Sequence, residues 1–159
     1  MKPDYSLPQD RPIGPSLIIE MSVRIMIPFI QLFSLYVIAH GHYSPGGGFQ
    51  GGVLMGAAFI LMAIAFDQKT SMRFFPLRAN TILGGSGVLI YVGTGLVCAV
   101  LGSLFLDYSI LDTIIPLGPV AWRSLGILIV EVGVGLAVAS IMVSLFWDLA
   151  SGGSLRKGL

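Results

Sequence analysis

Gly41-His42-Tyr43-Ser44-Pro45-Gly46-Gly47-Gly48-Phe49-Gln50-Gly51-Gly52 joins two long apolar runs of this chain. Glycine is costly to order, because it loses more backbone freedom on folding than any other residue. A glycine cluster is therefore expected where the backbone needs a positive φ or where another backbone approaches closely. The stretch predicts a tight structural turn between two helices, formed by Pro45, Gly46, Gly47, Gly48, Phe49, Gln50, Gly51 and Gly52.

The composition places this turn in a membrane protein. Hydrophobic residues make up 55% of the chain and charged residues only 11%, whereas a soluble domain carries about 25% charged residues. We expect an all-α integral membrane protein with four transmembrane helices, at about residues 17–39, 49–66, 81–106 and 121–147. A polar tail at 1–16 precedes this domain and a tail at 148–159 follows it. The net charge of +1 gives no reason to expect a nucleic-acid partner.

The basic residues predict the orientation of the chain. Eight of the nine fall before or at the start of the first helix, between the second and third helices, and at the end of the chain, and the ninth, Arg123, lies at the edge of the fourth helix. With four crossings all these segments lie on one side, which is the positive-inside pattern of a chain with both termini in the cytoplasm. The glycine turn then lies on the outer side. Glu20 and Arg24 are spaced to form an i,i+4 ion pair at the interface.

Three ionisable residues are candidates for an ion pathway: Glu131, His42 and His40. Glu131 follows Trp122 by about 13 Å along the fourth helix, inside the apolar layer. A carboxylate there is costly and usually faces a bundle interior or an ion path. Glu131 is thus either a protonatable or cation-binding group, or a buried acid that is kept neutral or hydrogen-bonded to another subunit.

His40 and His42 flank the turn and are either a proton relay at its mouth or partners of the turn backbone. Two histidines are too few for a closed metal site, so we expect neither a metal nor a cofactor. No lysine lies in any predicted helix. The chain alone therefore lacks the alternating lysine and glutamate relay that a complete proton pump needs.

The stretch from Gly41 to Gly52 resembles the G-H-x-x-P-G-G-G-F-x-G-G signature of the MnhB/MrpB family, whose members are small subunits of Mrp-type multisubunit Na+/H+ antiporters. That family includes the related subunit of membrane-bound hydrogenase-type complexes. The resemblance implies an accessory transporter subunit rather than an enzyme, working in the cell membrane of a prokaryote. Its implied partners are other small and large Mrp-type membrane subunits, the lipid bilayer, and Na+ and H+ as transported ions. Gln50 is more similar to the hydrogenase-linked relatives, but both assemblies stay open.

Two other classes of membrane protein compete with this interpretation. A small multidrug-type proton-coupled exporter also has four helices and a membrane carboxylate, but carries that acid in its first helix rather than at the position of Glu131. A haem or quinone membrane anchor would need histidines that face one another from two helices. His40 and His42 both lie at the end of the first predicted helix.

Overall fold

The computed structural model describes residues 17–41 and 46–152. The predicted tail at 1–16, residues 153–159 of the predicted tail at 148–159, and the roles predicted for His42 and Pro45 lie outside these residues. The described chain forms α1 (Leu17–Ala39), α2 (Gly48–Phe66), α3 (Gln68–Phe74), α4 (Leu77–Val100), a 3₁₀ helix (Tyr108–Thr113) and α5 (Pro119–Ala150). Four of these helices, α1, α2, α4 and α5, are long and apolar enough to cross a membrane. The predicted all-α membrane fold class is therefore confirmed, while the orientation of the termini stays a prediction.

The third membrane helix differs from its predicted bounds of 81–106 at both ends. It begins at Leu77, directly after Pro76, so that the polar residue Asn80 lies in its first turns. It ends at Val100, and the chain then turns through Gly102 at φ 91° and Leu106 at φ 66°. The apolar residues after Val100 continue the hydrophobic run, which is why the run alone predicts a longer helix.

The polar segment from Asp67 to Asn80, which lies between the second and third predicted helices, is largely helical. The short helix α3 occupies Gln68–Phe74, and α4 begins at Leu77. Asp67 starts α3, since its side chain accepts a 2.7 Å hydrogen bond from the Gln68 amide. Apolar run length does not predict these helical residues, because the segment is polar although it contains helix-forming residues and a capping aspartate.

Helix α5 is the central element of the described chain. It contacts α2 and α4, while α1 packs on α2 and touches α5 only lightly. Its observed range of Pro119–Ala150 is longer at both ends than the predicted 121–147. Trp147 near its end is only 1% exposed, and its ring centroid lies 6.2 Å from that of Phe75. This tryptophan is a packing residue of the bundle.

The pairing of α2 with α5 follows from glycines spaced four residues apart. A Cβ on Gly52 would lie 2.7 Å from the Gly135 carbonyl oxygen, and one on Gly56 would lie 3.4 Å from that of Ala139. Because residue numbers increase together along this seam, α2 and α5 run in the same direction. Small residues at this spacing allow two membrane helices to approach closely.

Helix α4 packs on another side of α5 in the opposite direction. A Cβ on Gly133 would lie 2.9 Å from the Gly87 carbonyl oxygen, and one on Gly84 would lie 3.0 Å from Ser140 Cβ. Glycines of α5 thus face α2 on one side and α4 on the other. This arrangement fixes the rotation of α5, and with it the direction in which Glu131 points.

Candidate functional site

The glycine turn closes around Glu131. A Cβ placed on Gly41 would overlap both carboxylate oxygens of Glu131 and lie 2.6 Å from its Cδ. A Cβ on Gly47 would lie 2.8 Å from Glu131 Oε1. Gly48 touches the main chain of the same residue, with its virtual Cβ 2.8 Å from Glu131 Cα. The carboxylate therefore occupies a slot between the end of α1 and the start of α2.

The geometry decides between the two reasons for a glycine cluster. The described glycines with positive φ are Gly102, Gly118 and Gly152, and none of them belongs to the turn. Gly47 has φ −165°, an extended conformation that any residue adopts. Apart from Gly46, the described glycines of the turn are therefore required for close approach, because a side chain would collide with α5 or with α1.

The contact links the depth predicted for the turn to the depth predicted for Glu131. The turn was expected at the outer interface, and Glu131 about 13 Å deeper than Trp122 along its helix. Because Gly41 and Gly48 both touch Glu131, the turn and the carboxylate share one level. Irregular backbone at the depth predicted for Glu131 is tolerated only where it is buried in protein or lines a cavity, and the turn meets this condition because it lies against the main chain of α5.

The other residues of the turn have separate roles. Gly51 lies against α1, where its carbonyl oxygen accepts a 2.7 Å hydrogen bond from the fully buried Ser34 hydroxyl. Phe49 is 63% exposed, and Gln50 is exposed as well. Gly46 faces Gln50, because its virtual Cβ would lie 2.8 Å from Gln50 Oε1. The turn thus has one face on Glu131 and another that is open to lipid or to a partner.

His40 makes its described contacts along its own helix. Its ring stacks on Tyr36 with 4.2 Å between the centroids, and its Nδ1 lies 3.2 Å from the Tyr36 carbonyl oxygen. The residue is exposed. These contacts fit a histidine that stabilises the end of α1, and its predicted role in a relay stays a prediction.

The Glu20 and Arg24 pair lies at the other end of α1. Arg24 Nη2 is 3.2 Å from Glu20 Oε1, and the guanidinium carbon lies 5.7 Å from the centroid of the Phe66 ring. The arginine side chain is 74% exposed, so this pair contributes little to stability. It is separated from Gly41 by most of the length of α1, and it takes no part in the Glu131 slot.

Sequence reasoning missed a second polar cluster, between α4 and α5. Asn80 is fully buried, and its Nδ2 donates to the Ser140 carbonyl oxygen at 3.1 Å and to Ser144 Oγ at 2.6 Å. The available signal was the i,i+4 spacing of Ser140 and Ser144 in an apolar helix. Sequence reasoning also missed that Gly41, Gly47 and Gly48 serve Glu131, because those residues lie far apart along the chain.

The described residues offer no site for a metal ion built from protein ligands alone. In residues 17–41 and 46–152, no three histidine, cysteine, aspartate or glutamate side chains come together in a way that could hold one. The ionisable group that the described residues place in the slot is the Glu131 carboxylate, and a carboxylate can take up or release a proton, or attract a cation. Fold and site together define a small multi-pass membrane protein with a main-chain-enclosed carboxylate.

Comparison with known proteins identifies the family. A profile described as a domain related to the MnhB subunit of Na+/H+ antiporter matches residues 18–144, and this chain belongs to that family. It is 34% identical over 93 residues to a Na(+)/H(+) antiporter subunit of Bacillus subtilis strain 168, covering 58% of this chain and 64% of that protein. It is 30% identical over 139 residues to an antiporter subunit, mnhB2, of Staphylococcus epidermidis, covering 87% of this chain and 96% of that protein.

A solved structure is also similar. The chain matches one chain of the membrane-bound sulfane sulfur reductase, an archaeal respiratory membrane complex, with a TM-score of 0.54 and 29% sequence identity. The match covers 80% of this chain and 59% of that chain. The fold thus occurs in relatives named as antiporter subunits and in a respiratory membrane complex.

Proposed function

We propose that this chain is an accessory subunit of a multisubunit Na+/H+ antiporter module, and that Glu131 is a protonatable group on its ion path. Family membership and the antiporter subunit names of the relatives support the first part. The enclosure of Glu131 by Gly41 and Gly47 is the observation that carries the second part. The module works in a prokaryotic cell membrane, and the chain itself is a transporter subunit rather than an enzyme.

The position of Glu131 supports a role in ion movement. A carboxylate in the apolar layer is costly, and such residues usually face a bundle interior or an ion path. Glu131 faces the turn rather than lipid, because its carboxylate lies against Gly41 and Gly47. A group held in this way can exchange a proton with a path formed at the junction between this chain and its neighbours.

The chain needs other subunits to complete transport. None of the membrane-spanning helices α1, α2, α4 and α5 carries a lysine, so a lysine and glutamate relay must come from the larger partners. Antiporter-named relatives favour a stand-alone antiporter, and the sulfane sulfur reductase match favours an ion-translocating arm attached to a redox complex. Purification of the native complex, with mass spectrometry of its subunits, distinguishes these assemblies by the presence of metal-cluster proteins.

The orientation we propose places both termini in the cytoplasm. The side chain of Gln68 donates to the Trp147 carbonyl oxygen at 3.2 Å, so the start of α3 and the end of α5 lie at the same end of the bundle. Lys69, Arg73 and Arg78 lie at or near this end, which is the cytoplasmic one by the positive-inside rule. Cysteines at Gly152 and Asp112, in a Cys98→Ala background, would be tested with an impermeant maleimide on intact cells. We expect labelling at Asp112 and none at Gly152, and the opposite pattern overturns the orientation.

Replacement of Glu131 by Gln in the assembled complex tests the central part of the proposal. Glutamine fills the slot but cannot ionise, so we expect normal assembly and a loss of Na+-driven proton movement in inverted membrane vesicles. Glu20→Gln is the matched control, because Glu20 is partly exposed in an i,i+4 pair at the far end of α1. Unchanged transport by an assembled Glu131→Gln complex would remove Glu131 from the mechanism.

A further inference from the structure

We propose that Gly41 and Gly47 are positioning residues for the Glu131 carboxylate. Their missing side chains leave the slot that the carboxylate fills, so they set where its proton is taken up and released. This inference rests on the proposed function only in that the position of Glu131 matters for transport. The geometric part, that the two glycines fix the carboxylate, is testable by itself.

The two glycines confine the carboxylate from different elements. A Cβ on Gly41, just after α1, would lie 2.6 Å from Glu131 Cδ, and a Cβ on Gly47, just before α2, would lie 3.4 Å from the same atom. Carbon atoms in ordinary contact lie about 3.5–4.0 Å apart. An alanine at Gly41 therefore requires the carboxylate to move, and an alanine at Gly47 crowds its Oε1 at 2.8 Å.

The main chain of α5 cannot relieve this crowding. Gly48 is already in contact with the Glu131 main chain, and Gly52 with that of Gly135, so the start of α2 is held against α5. The part of Glu131 that can respond is its side chain. We therefore expect a methyl group at residue 41 or 47 to displace the carboxylate out of the slot, while the helices keep their arrangement.

Gly46 offers a matched control within the same turn. A Cβ there would meet Gln50 Oε1 at 2.8 Å and Val37 Cγ1 at 3.3 Å. The glutamine oxygen is the far end of a flexible, exposed side chain and can move at little cost. Gly46→Ala changes the same residue type in the same turn without adding atoms to the Glu131 slot.

The position of the carboxylate is read by its reaction with dicyclohexylcarbodiimide in the intact complex. A protonated carboxyl group adds its O–H across one C=N bond of the reagent to give an O-acylisourea, which rearranges to a stable N-acylurea. This addition has no leaving group and oxidises nothing. Mass spectrometry of the Glu131 peptide measures the labelling rate, and Na+-driven proton movement in inverted vesicles is measured on the same preparations.

We expect Gly41→Ala and Gly47→Ala to raise the labelling rate of Glu131 several-fold and to lower transport, while Gly46→Ala matches the wild type in both. The transport loss is expected to be about 10- to 100-fold, since misplacement of a reacting group by about 1 Å costs about 100-fold. Labelling and transport by Gly47→Ala equal to those of Gly46→Ala would overturn the proposal.

The double variant Gly47→Ala with Glu131→Asp provides the second test. Aspartate is shorter by one methylene group, which makes room for the new methyl group. The effects of the two changes on transport are therefore expected to be non-additive in a double-mutant cycle. If Gly47→Ala fails to assemble, restoration of assembly by Glu131→Asp supports the proposal, and failure to restore it counts against it. If Glu131→Gln transports normally, the proposed function fails, yet the labelling rates and this cycle still decide whether the glycines position the carboxylate.

Discussion

Gly48 lies against the main chain of Glu131: a Cβ on the glycine would overlap the glutamate carbonyl oxygen and lie 2.7 Å from its carbonyl carbon. The atoms in the way are backbone, so the helices themselves must separate to admit a methyl group. Gly48→Ala is therefore expected to destabilise the protein by about 1–3 kcal/mol, the usual cost of overpacking. Thermal dissociation of the solubilised complex, followed by size exclusion, measures this loss. Gly46→Ala is the control. Equal thermal midpoints for Gly48→Ala and Gly46→Ala would contradict the close contact between Gly48 and the Glu131 main chain.

The membrane helices could be predicted from the sequence, but the contact between the glycine turn and Glu131 could not. Composition and apolar run lengths were sufficient to predict the membrane helices, because each of those properties is local. The contact of Gly48 with Glu131 joins residues far apart in sequence. A shared spacing of four residues, Gly48 with Gly52 on α2 and Glu131 with Gly135 on α5, was the one available signal. It indicates faces that suit close packing, but it does not say which helix each face meets.

The end of the third membrane helix was predicted wrongly for a different physical reason. The apolar run continues past Val100 to Leu106, so hydropathy gives no sign that the helix stops. The end of α4 is set by the backbone conformation at Gly102 and Leu106. It is also set by Phe105, which follows α4 and packs its ring back on Gly95 of that helix. Such a return of the chain on itself depends on tertiary contacts, which composition and run length do not contain.

Asn80 links α4 to α5 through its two hydrogen bonds to Ser140 and Ser144. Hydrogen bonds between membrane helices contribute on average about 0.6 kcal/mol each, so Asn80→Ala is expected to cost about 1 kcal/mol. The thermal midpoint of the solubilised complex reports the loss. Thr81→Ala is the matched control, because Thr81 is exposed and its hydroxyl donates a hydrogen bond to the Leu77 carbonyl oxygen in its own helix. A control variant as unstable as Asn80→Ala would assign the effect to α4 itself.

Asp107 gives the loop after α4 a defined response to acid. The Ser103 and Ser109 hydroxyls each donate to its carboxylate at 2.6 Å, which lowers the pKa of Asp107 below its ordinary 3.8. A lowered pKa contributes stability that is complete above the unfolded pKa and is lost as pH falls through the folded one. Hydrogen exchange of the peptide that contains Ser109 should therefore be protected equally, after correction for intrinsic rates, from about pH 5 to about pH 8, and protection should fall only in stronger acid.

Two variants check that assignment. Asp107→Asn removes the carboxylate, so protection of the loop should be lower at neutral pH and should no longer fall in acid. Ser103→Ala removes one of the two hydroxyl donors, so the pKa of Asp107 rises towards its ordinary value and protection is lost at a higher pH. An acid response that is unchanged in Asp107→Asn would show that another group controls the loop.

The seam between α2 and α5 predicts a graded series of alanine variants. The virtual Cβ of Gly48 overlaps the α5 backbone, and that of Gly52 lies 2.7 Å from the Gly135 carbonyl oxygen. That of Gly56 has more room, with 3.2 Å to Met142 Cβ and 3.4 Å to the carbonyl oxygen of Ala139. Alanine also gains up to about 1 kcal/mol in helix propensity over glycine. Gly56→Ala should therefore be nearly neutral, Gly52→Ala destabilising, and Gly48→Ala the most destabilising, as measured by thermal midpoints of the solubilised complex. If the glycines served helix flexibility instead of close approach, Gly52→Ala would be stabilising rather than destabilising, because alanine has the higher helix propensity in a helix interior.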